Sequence, residues 1–315
     1  MPTTPSTSLP PLEDYLEASQ QNLSACLSPF DGTVDVNVAG IDVTLHYVKF
    51  NQHTKKPKFK EFAKALAKHV VRFTLSSRTR NQVRSGDDYF EDEGELQTIA
   101  RDYFRKVENS GEVGELLLFF LLEAALKAPQ AVCKMELKTN PNDEIKGADG
   151  IHVKWDEKGG HLDVFLGEAK MYQNIGDAMD DALDSVANLY NENKLEDELH
   201  LVTSHFKHLD QKLQNAVTAW VRGESSPDDC HIIHACLIGW DFGKYRLLDS
   251  DPGSLFRDFE DHYRNYCKNI SRLLNRRFDA YEHRHLSFNF LFIPFRSVKS
   301  FRKAFYRALL GKSLP

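Results

Sequence analysis

The chain has 315 residues, 41% of them hydrophobic and 27% charged, with 40 Lys and Arg against 46 Asp and Glu. Such a composition excludes a disordered or fibrous chain and supplies enough apolar surface for a large core. The formal net charge of −6 opposes binding of a polyanion through bulk electrostatics, so any nucleic-acid contact must come from local basic patches. The longest apolar run, Leu116–Leu122, falls far short of the roughly 20 residues of a membrane span, and no membrane contact is expected. Cys26, Cys133, Cys230, Cys236 and Cys267 show no paired spacing and fit free thiols in a reducing cytosol. The N-terminus lacks a basic region followed by an apolar core, so a cytoplasmic location is expected.

In chain order, residues 1–12 are rich in Pro, Ser and Thr and read as a disordered lead. Residues 13–93 then form an N-terminal α+β segment, and residues 94–315 the main domain with helical and strand additions at its C-terminus. Val34–Phe50 alternates around Gly40-Ile41-Asp42 and predicts a hairpin or a pair of short strands. Phe59–Phe73 has helical periodicity. Lys60, Lys64, Lys68 and Arg72 recur every four residues along one face, with Phe62, Leu66, Val70 and Phe73 on another. A basic stripe of this kind tracks phosphates, meets an acidic partner, or is simply solvated. Asp87–Glu95 is acidic and turn-like, a candidate linker. Helices are predicted over Leu96–Val107 and Glu112–Leu126, separated by Asn109-Ser110-Gly111. Glu112 and Glu115 sit in the first turn of the second, where the helix dipole by itself favours carboxylates. Val132–Lys138 alternates and predicts a strand.

The stretch Ala148–Tyr172 carries the chemistry. Asp149, Ile151, Val153 and Trp155 share one parity, and Leu162, Val164, Leu166, Glu168 and Lys170 share another, with the turn composition Asp156-Glu157-Lys158-Gly159-Gly160 between them. A hairpin closed at Lys158-Gly159 pairs Trp155 with Leu162, Val153 with Val164 and Ile151 with Leu166. Asp149 then arrives opposite Glu168, roughly 5 Å away at Cβ, where like charges are destabilising. A one-residue slip would put the apolar sets on opposite faces. A divalent cation shared by the two carboxylates, with Lys170 two residues on, is the simplest compensation. That is the arrangement metal-dependent phosphodiester cleavage needs. The plainer alternative is a Glu168–Lys170 ion pair at a strand end, with Asp149 capping a turn after Gly147.

Beyond this stretch, Ile175–Leu189 predicts a helix whose Asp177, Asp180, Asp181 and Asp184 form a solvated acidic face. Leu195–Val221 is mainly helical, and His200, His205 and His208 read as surface residues. Ile232–Trp240 predicts a buried strand of the same sheet, Leu255–Phe278 a helix, and Leu286–Phe295 an aromatic strand. A last helix, Ser297–Leu310, sets Lys299, Arg302, Lys303 and Arg307 among Phe301, Phe305 and Leu309. Cys230, His231, His234 and Cys236 look superficially like a zinc set. In a strand, however, positions 231 and 234 point to opposite faces, so that set is not expected to close around an ion. No phosphate-binding loop of the Walker type occurs, so nucleotide hydrolysis would belong to another chain.

Asp149 followed by Glu168-Ala169-Lys170 resembles the PD-(D/E)xK nuclease signature, although Ala148 stands where that signature has proline. Gly111-Glu112-Val113-Gly114-Glu115, Gly147-Ala148-Asp149-Gly150-Ile151-His152 and Gly167-Glu168-Ala169-Lys170-Met171-Tyr172 together resemble the HamA family, nuclease subunits of bacterial Hachiman anti-phage systems that work beside a helicase, HamB. The resemblance implies an α/β fold with a mixed sheet flanked by helices. It also implies a Mg²⁺-dependent deoxyribonuclease (Mn²⁺ being the other candidate) with DNA and a HamB-like helicase as partners. Asp149, Glu168 and the Ala169 carbonyl would hold the metal, Glu115 would complete the set, and Lys170 would act on the water or the phosphate. Lys60, Lys64, Lys68 and Arg72, or Lys299, Arg302 and Lys303, would meet DNA or the helicase. Two other readings stay open: a catalytically silent nuclease-like module that binds DNA and docks a helicase, and a restriction-type endonuclease.

Overall fold

The structure is a computed structural model that describes residues 15–84, 89–104, 111–137, 147–191, 194–196, 218 and 230–311. The expected lead at 1–12, most of the helical stretch expected over 195–221, and His200, His205 and His208 lie outside the described residues.

A short helix α1 (Gln20–Cys26) runs straight into β1 (Leu27–Pro29), which pairs antiparallel with β2 (Ile41–Val48). Five helices follow: α2 (Phe59–Ala67), α3 (Val70–Thr74), α4 (Ser77–Val83), α5 (Tyr89–Asp102) and α6 (Glu112–Ala124). Next come β3 (Gln130–Val132), β4 (Gly150–Asp156) and β5 (His161–Tyr172), then α7 (Ile175–Asn191). The chain continues through β6 (Cys230–Asp241), α8 (Pro252–Phe278), β7 (Ser287–Phe295) and α9 (Val298–Leu310).

All seven strands join one sheet in the order β1-β2-β7-β6-β5-β4-β3. Its centre, β2, β7, β6 and β5, is parallel, and the β5-β4-β3 flank is antiparallel. Parallel strands are covered on both faces, which is why β6 and β7 read as nearly continuous apolar runs. One face of the sheet presents Phe165, Ala169, Met171, Leu237, Leu291 and Ile293 to α2, α6 and α9. The other presents Cys236, Ile238, Trp240, Phe288, Phe290 and Phe292 to α7 and α8. The result is the mixed α/β architecture expected, a sheet flanked by helices on both faces.

Apart from β3, the described strands and helices from Glu112 onward match the periodicities closely, and the differences lie where local pattern competes with packing. The periodic stretch Phe59–Phe73 is two helices, broken at Lys68-His69. There the His69 ring packs 5.0 Å from that of Phe120, and the break lets Val70, Val71, Phe73 and Thr74 all be buried, more than one stripe of a straight helix offers. Residues 34–37 form no strand. Their backbone bonds instead to side chains of α8: Asp35 N to Ser271 Oγ, 3.0 Å, and Asn37 N to Asn275 Oδ1, 2.7 Å. The strand expected over Val132–Lys138 stops at Val132 and gives way to a 3₁₀ turn, Lys134–Leu137. The acidic stretch read as a linker enters α5 at Tyr89, so Gly94 lies inside a helix. The N-terminal segment also contributes β2 to the common sheet through its pairing with β7.

At Gly167 the sheet and α6 approach most closely. A Cβ there would come within 2.7 Å of Leu118 Cδ2 and 3.3 Å of the Gly150 carbonyl. Gly167→Ala should therefore destabilise the protein by about 1–3 kcal/mol, the usual range for overpacking a filled core, as measured by urea denaturation. A neutral result would mean that α6 does not seat directly on β5.

Candidate active site

The β4–β5 hairpin has the register that the sequence parity requires: Trp155 opposite Leu162, Val153 opposite Val164, and Ile151 opposite Leu166. The ladder continues past its last pair, since the Asp149 amide donates to the Gly167 carbonyl at 2.8 Å. Asp149 is thereby held beside Glu168. Its side chain is anchored as well, because Oδ2 accepts from the Ala169 amide at 2.8 Å. β4 begins only at Gly150, so the segment of β5 that carries Glu168 and Lys170 extends beyond the end of its neighbour.

Glu168 is 8% exposed, and Lys170 Nζ sits 2.8 Å from its Oε1. The two share a face with α7, whose Ser185 hydrogen-bonds Glu168. Burial, followed by the charge of Asp149, pushes the Glu168 carboxyl up to about 8. Asp149 is also raised by burial, against the opposing pull of the Ala169 amide, Lys170 and Lys134. For Lys170, burial disfavours the ammonium, but Glu168 and Asp149 outweigh it and raise the pKa overall. Two carboxyls thus stand beside Lys170 in a largely buried site that opposes ionisation of both together. A hard divalent cation has the right chemistry to relieve that opposition, and two carboxylates with a neighbouring backbone carbonyl are a fitting oxygen donor set.

Lys134 was not singled out by sequence. The chain folds it under the site, where it is 4% exposed and donates to the Ala148 carbonyl at 2.6 Å. The only signal was a lysine within the alternating run Val132–Lys138, where a strand was expected. Cys236, in register with Glu168 on β6, is fully buried. Burial and the two carboxylates raise its pKa, keeping it a thiol.

Glu115 lies on α6 one residue beyond Gly114, where an added Cβ would be 3.3 Å from that of Ala169 and 3.6 Å from Met171 Cγ. Its helix therefore starts against the strand of the cluster, and Glu115 is partly exposed. Glu112 is buried, with the Tyr306 hydroxyl 3.4 Å from its Oε2. Beyond Lys170, a cleft of about 890 Å³ opens at the C-terminal end of β5. Tyr172, Gln173, Asn174, Lys299 and Arg302 are among the residues lining it. Arg302 is half-buried and donates to the Met171 carbonyl at 3.0 Å. Lys299 and Lys303 are exposed, as are Lys60, Lys64 and Lys68 on the neighbouring α2 side, while Arg72 donates to the Glu17 carbonyl.

The Cys230, His231, His234 and Cys236 set does not assemble. The His234 ring lies 2.8 Å from the Tyr190 hydroxyl on the α7 side, whereas His231 faces the other way.

The HamA family model matches residues 25–309, a span that includes the hairpin, Glu115 and α9. The chain belongs to the HamA family. This places it in the context of Hachiman anti-phage defence. A search of curated proteins returns no match. Among the described residues, no helix is long and apolar enough to cross a membrane.

The charge balance of the site predicts a pH signature for this HamA-family protein. Folded Glu168 keeps its proton up to about pH 8, against 4.5 for an ordinary glutamate. Between those values the native state binds more protons than the unfolded chain, so this group makes stability fall as pH rises. Burial holds His46, His69 and His234 at about 4 instead of 6.5, and they act with the opposite sign below 6.5. The difference between wild type and Glu168→Gln isolates the carboxyl. With metal chelated, the variant's melting temperature should gain on wild type steadily from pH 6.5 to 8. A constant difference across that range would refute the buried, raised carboxyl.

Proposed function

We propose that this chain is a divalent-metal-dependent deoxyribonuclease, the DNA-cutting subunit of a Hachiman defence system held in check by a helicase partner. The observation that carries the reading is the convergence of Asp149, just before β4, with Glu168 and Lys170 of β5 into one largely buried cluster. Three ionisable groups on the apolar face of a hairpin destabilise an apo protein. The Glu168–Lys170 ion pair offsets part of that cost, and cleavage of a phosphodiester gives the second carboxylate beside it a role.

Asp149, Glu168 and the Ala169 carbonyl would hold Mg²⁺ or Mn²⁺, whereas Glu115, on the α6 side of β5, would have to complete the set from the opposite face of the sheet. Bound there, the ion would lower the pKa of a water and neutralise charge growing on the phosphate. The protein's own groups do the rest. The Ala169 amide fixes one oxygen of Asp149 and leaves the other to face the site. Glu168 would act as a carboxylate ligand, and the Lys170 ammonium, 2.8 Å from its Oε1, would stabilise charge on the pentacoordinate phosphate. The backbone of the nucleic acid would run along the cleft past Tyr172 and Gln173, with Lys299 and Lys303 on its rim. Under this reading α9 takes DNA and the α2 stripe, Lys60, Lys64 and Lys68, takes the helicase.

Two tests follow. Asp149→Asn, Glu168→Gln and Lys170→Met should each slow Mg²⁺-dependent cleavage of plasmid DNA by about 10²-fold or more, with folding checked by circular dichroism. Mg²⁺ should raise the melting temperature of wild type but not of Asp149→Asn. Wild-type cleavage rates in these variants would remove the assignment. Lys299→Glu with Lys303→Glu should weaken DNA binding and flatten its salt dependence. Lys60→Glu, Lys64→Glu and Lys68→Glu together should abolish co-purification with the helicase. If neither set alters either property, both stripes are only solvated faces.

A further inference from the structure

At the other end of β5, on the opposite face of the sheet from Glu168, a second cluster gathers from separate strands. Asp163 of β5 is in register with His231 of β6, and His161 is its same-face neighbour along β5. Asp163 Oδ1 lies 3.2 Å from His161 Nε2 and 3.4 Å from His231 Nδ1. All three donor atoms fall within 4.8 Å of one another. From these residues we propose that His161, Asp163 and His231 bind a borderline transition-metal ion, Zn²⁺ by preference, in a structural site that fastens the β4–β5 turn to the sheet.

The distances suit donors gathered around an ion. Charge-assisted hydrogen bonds between imidazolium and carboxylate close to about 2.7–2.9 Å, and both separations here are longer. Donors at about 2.0–2.1 Å from a tetrahedral ion lie about 3.3–3.4 Å from one another, close to the 3.2 and 3.4 Å of the two contacts to Asp163. The imidazoles are also oriented as ligands usually are. His231 points Nδ1 at Asp163 while Nε2 is engaged by Ser287 Oγ of β7 at 2.8 Å. An outer partner of this kind orients the ring. In the tautomer whose Nε2–H donates to the Ser287 hydroxyl, Nδ1 presents a lone pair toward Asp163, and a cation between them would take it.

A fourth donor is close by. Asp156, the last residue of β4, has Oδ2 3.8 Å from His161 Nε2. The turn makes room for the arrangement. A Cβ on Gly159 would come within 2.2 Å of His161 Cε1 and 2.6 Å of Asp156 Oδ2, so a side chain at 159 is incompatible with the ring's position. Two imidazoles and one or two carboxylates suit Zn²⁺ and its neighbours and suit Mg²⁺ poorly. The site is separate from the acidic cluster: His161 and Glu168 are about 23 Å apart along the strand at about 3.3 Å per residue. This inference does not depend on the chain being a nuclease.

The test uses the full chain, stripped with a chelator and titrated with Zn²⁺, and with Co²⁺ as a spectroscopic probe. Wild type, Asp149→Asn and Glu168→Gln should each bind one equivalent at this site, develop visible Co²⁺ d–d bands of a tetrahedral site with nitrogen ligands, and gain in melting temperature. His231→Ala and Asp163→Asn should lose the bands and the thermal gain, and an excess of Mg²⁺ should not displace the ion. His231 is half exposed, so its replacement leaves the core intact should Asp163→Asn fold poorly. Absence of Zn²⁺ and Co²⁺ binding in wild type would overturn the proposal. So would binding that survives His231→Ala and disappears in Asp149→Asn, which would assign the ion to the acidic cluster instead.

Discussion

Two carboxylates forced together at the end of a hairpin are the constraint around which this protein is arranged. Asp149 and Glu168 meet because the register of β4 on β5 is set by apolar pairs whose slippage by one residue would put Ile151 and Val153 on the opposite face from Val164 and Leu166. The hydrophobic pairing therefore supplies the free energy that holds like charges in place. The same residues explain why the site is dry. Glu168 lies between a parallel neighbour, β6, and the overlying α7, and only the early end of β4 leaves that stretch of β5 open on its other side.

The sheet that carries the cluster rests on a division of faces. Even-numbered residues of β5 turn toward α7, and odd-numbered ones toward α6. α6 can lie close on the odd face because Gly167 and Gly114 remove side chains at the contact. Close packing there fixes the height of β5, and with it the position of the Ala169 amide that anchors Asp149. Packing on one face thus positions a polar anchor for the other. The basic residues follow a similar economy. In a chain of net charge −6, exposed lysines on α2 and α9 are brought to adjoining surfaces by the packing of those two helices, and a local positive potential is possible where the bulk charge would oppose it.

Most of this was written in the sequence wherever a residue's environment follows from its own strand or helix. Period-two alternation gave the hairpin register and the pairing of Asp149 with Glu168. Long apolar runs gave β6 and β7, and helical periodicity gave α7, α8 and α9 within a few residues. What was not legible depended on partners distant in sequence. The backbone of Asp35 and Asn37 is satisfied by Ser271 and Asn275, more than 230 residues away, so an alternating pattern there yields no strand. The helix at Phe59–Phe73 breaks because its second half must bury on more sides than one stripe allows. Lys134 stood in an alternating run where a strand was expected, and the 3₁₀ turn carries it beneath Asp149 instead.

His231 illustrates the same limit from the other direction. In the sequence it belongs to a cysteine and histidine group, and strand parity correctly separates it from His234 and Cys236. Parity cannot say which residues of the next strand stand beside it. Parallel pairing of β5 with β6 has no turn to set its register, because the connection runs through α7 and the residues that follow it. Only the assembled sheet matches Asp163 with His231 and brings Ser287 to the ring's far nitrogen. One strand then carries chemistry at both ends on opposite faces: hard oxygen donors beside Lys170 where β4 has not yet begun, and imidazoles with a carboxylate where the hairpin turns. The second cluster ties β4, β5, β6 and β7 together at the end of the sheet remote from Asp149. Fixing that end resists the slippage that would separate Asp149 from Glu168.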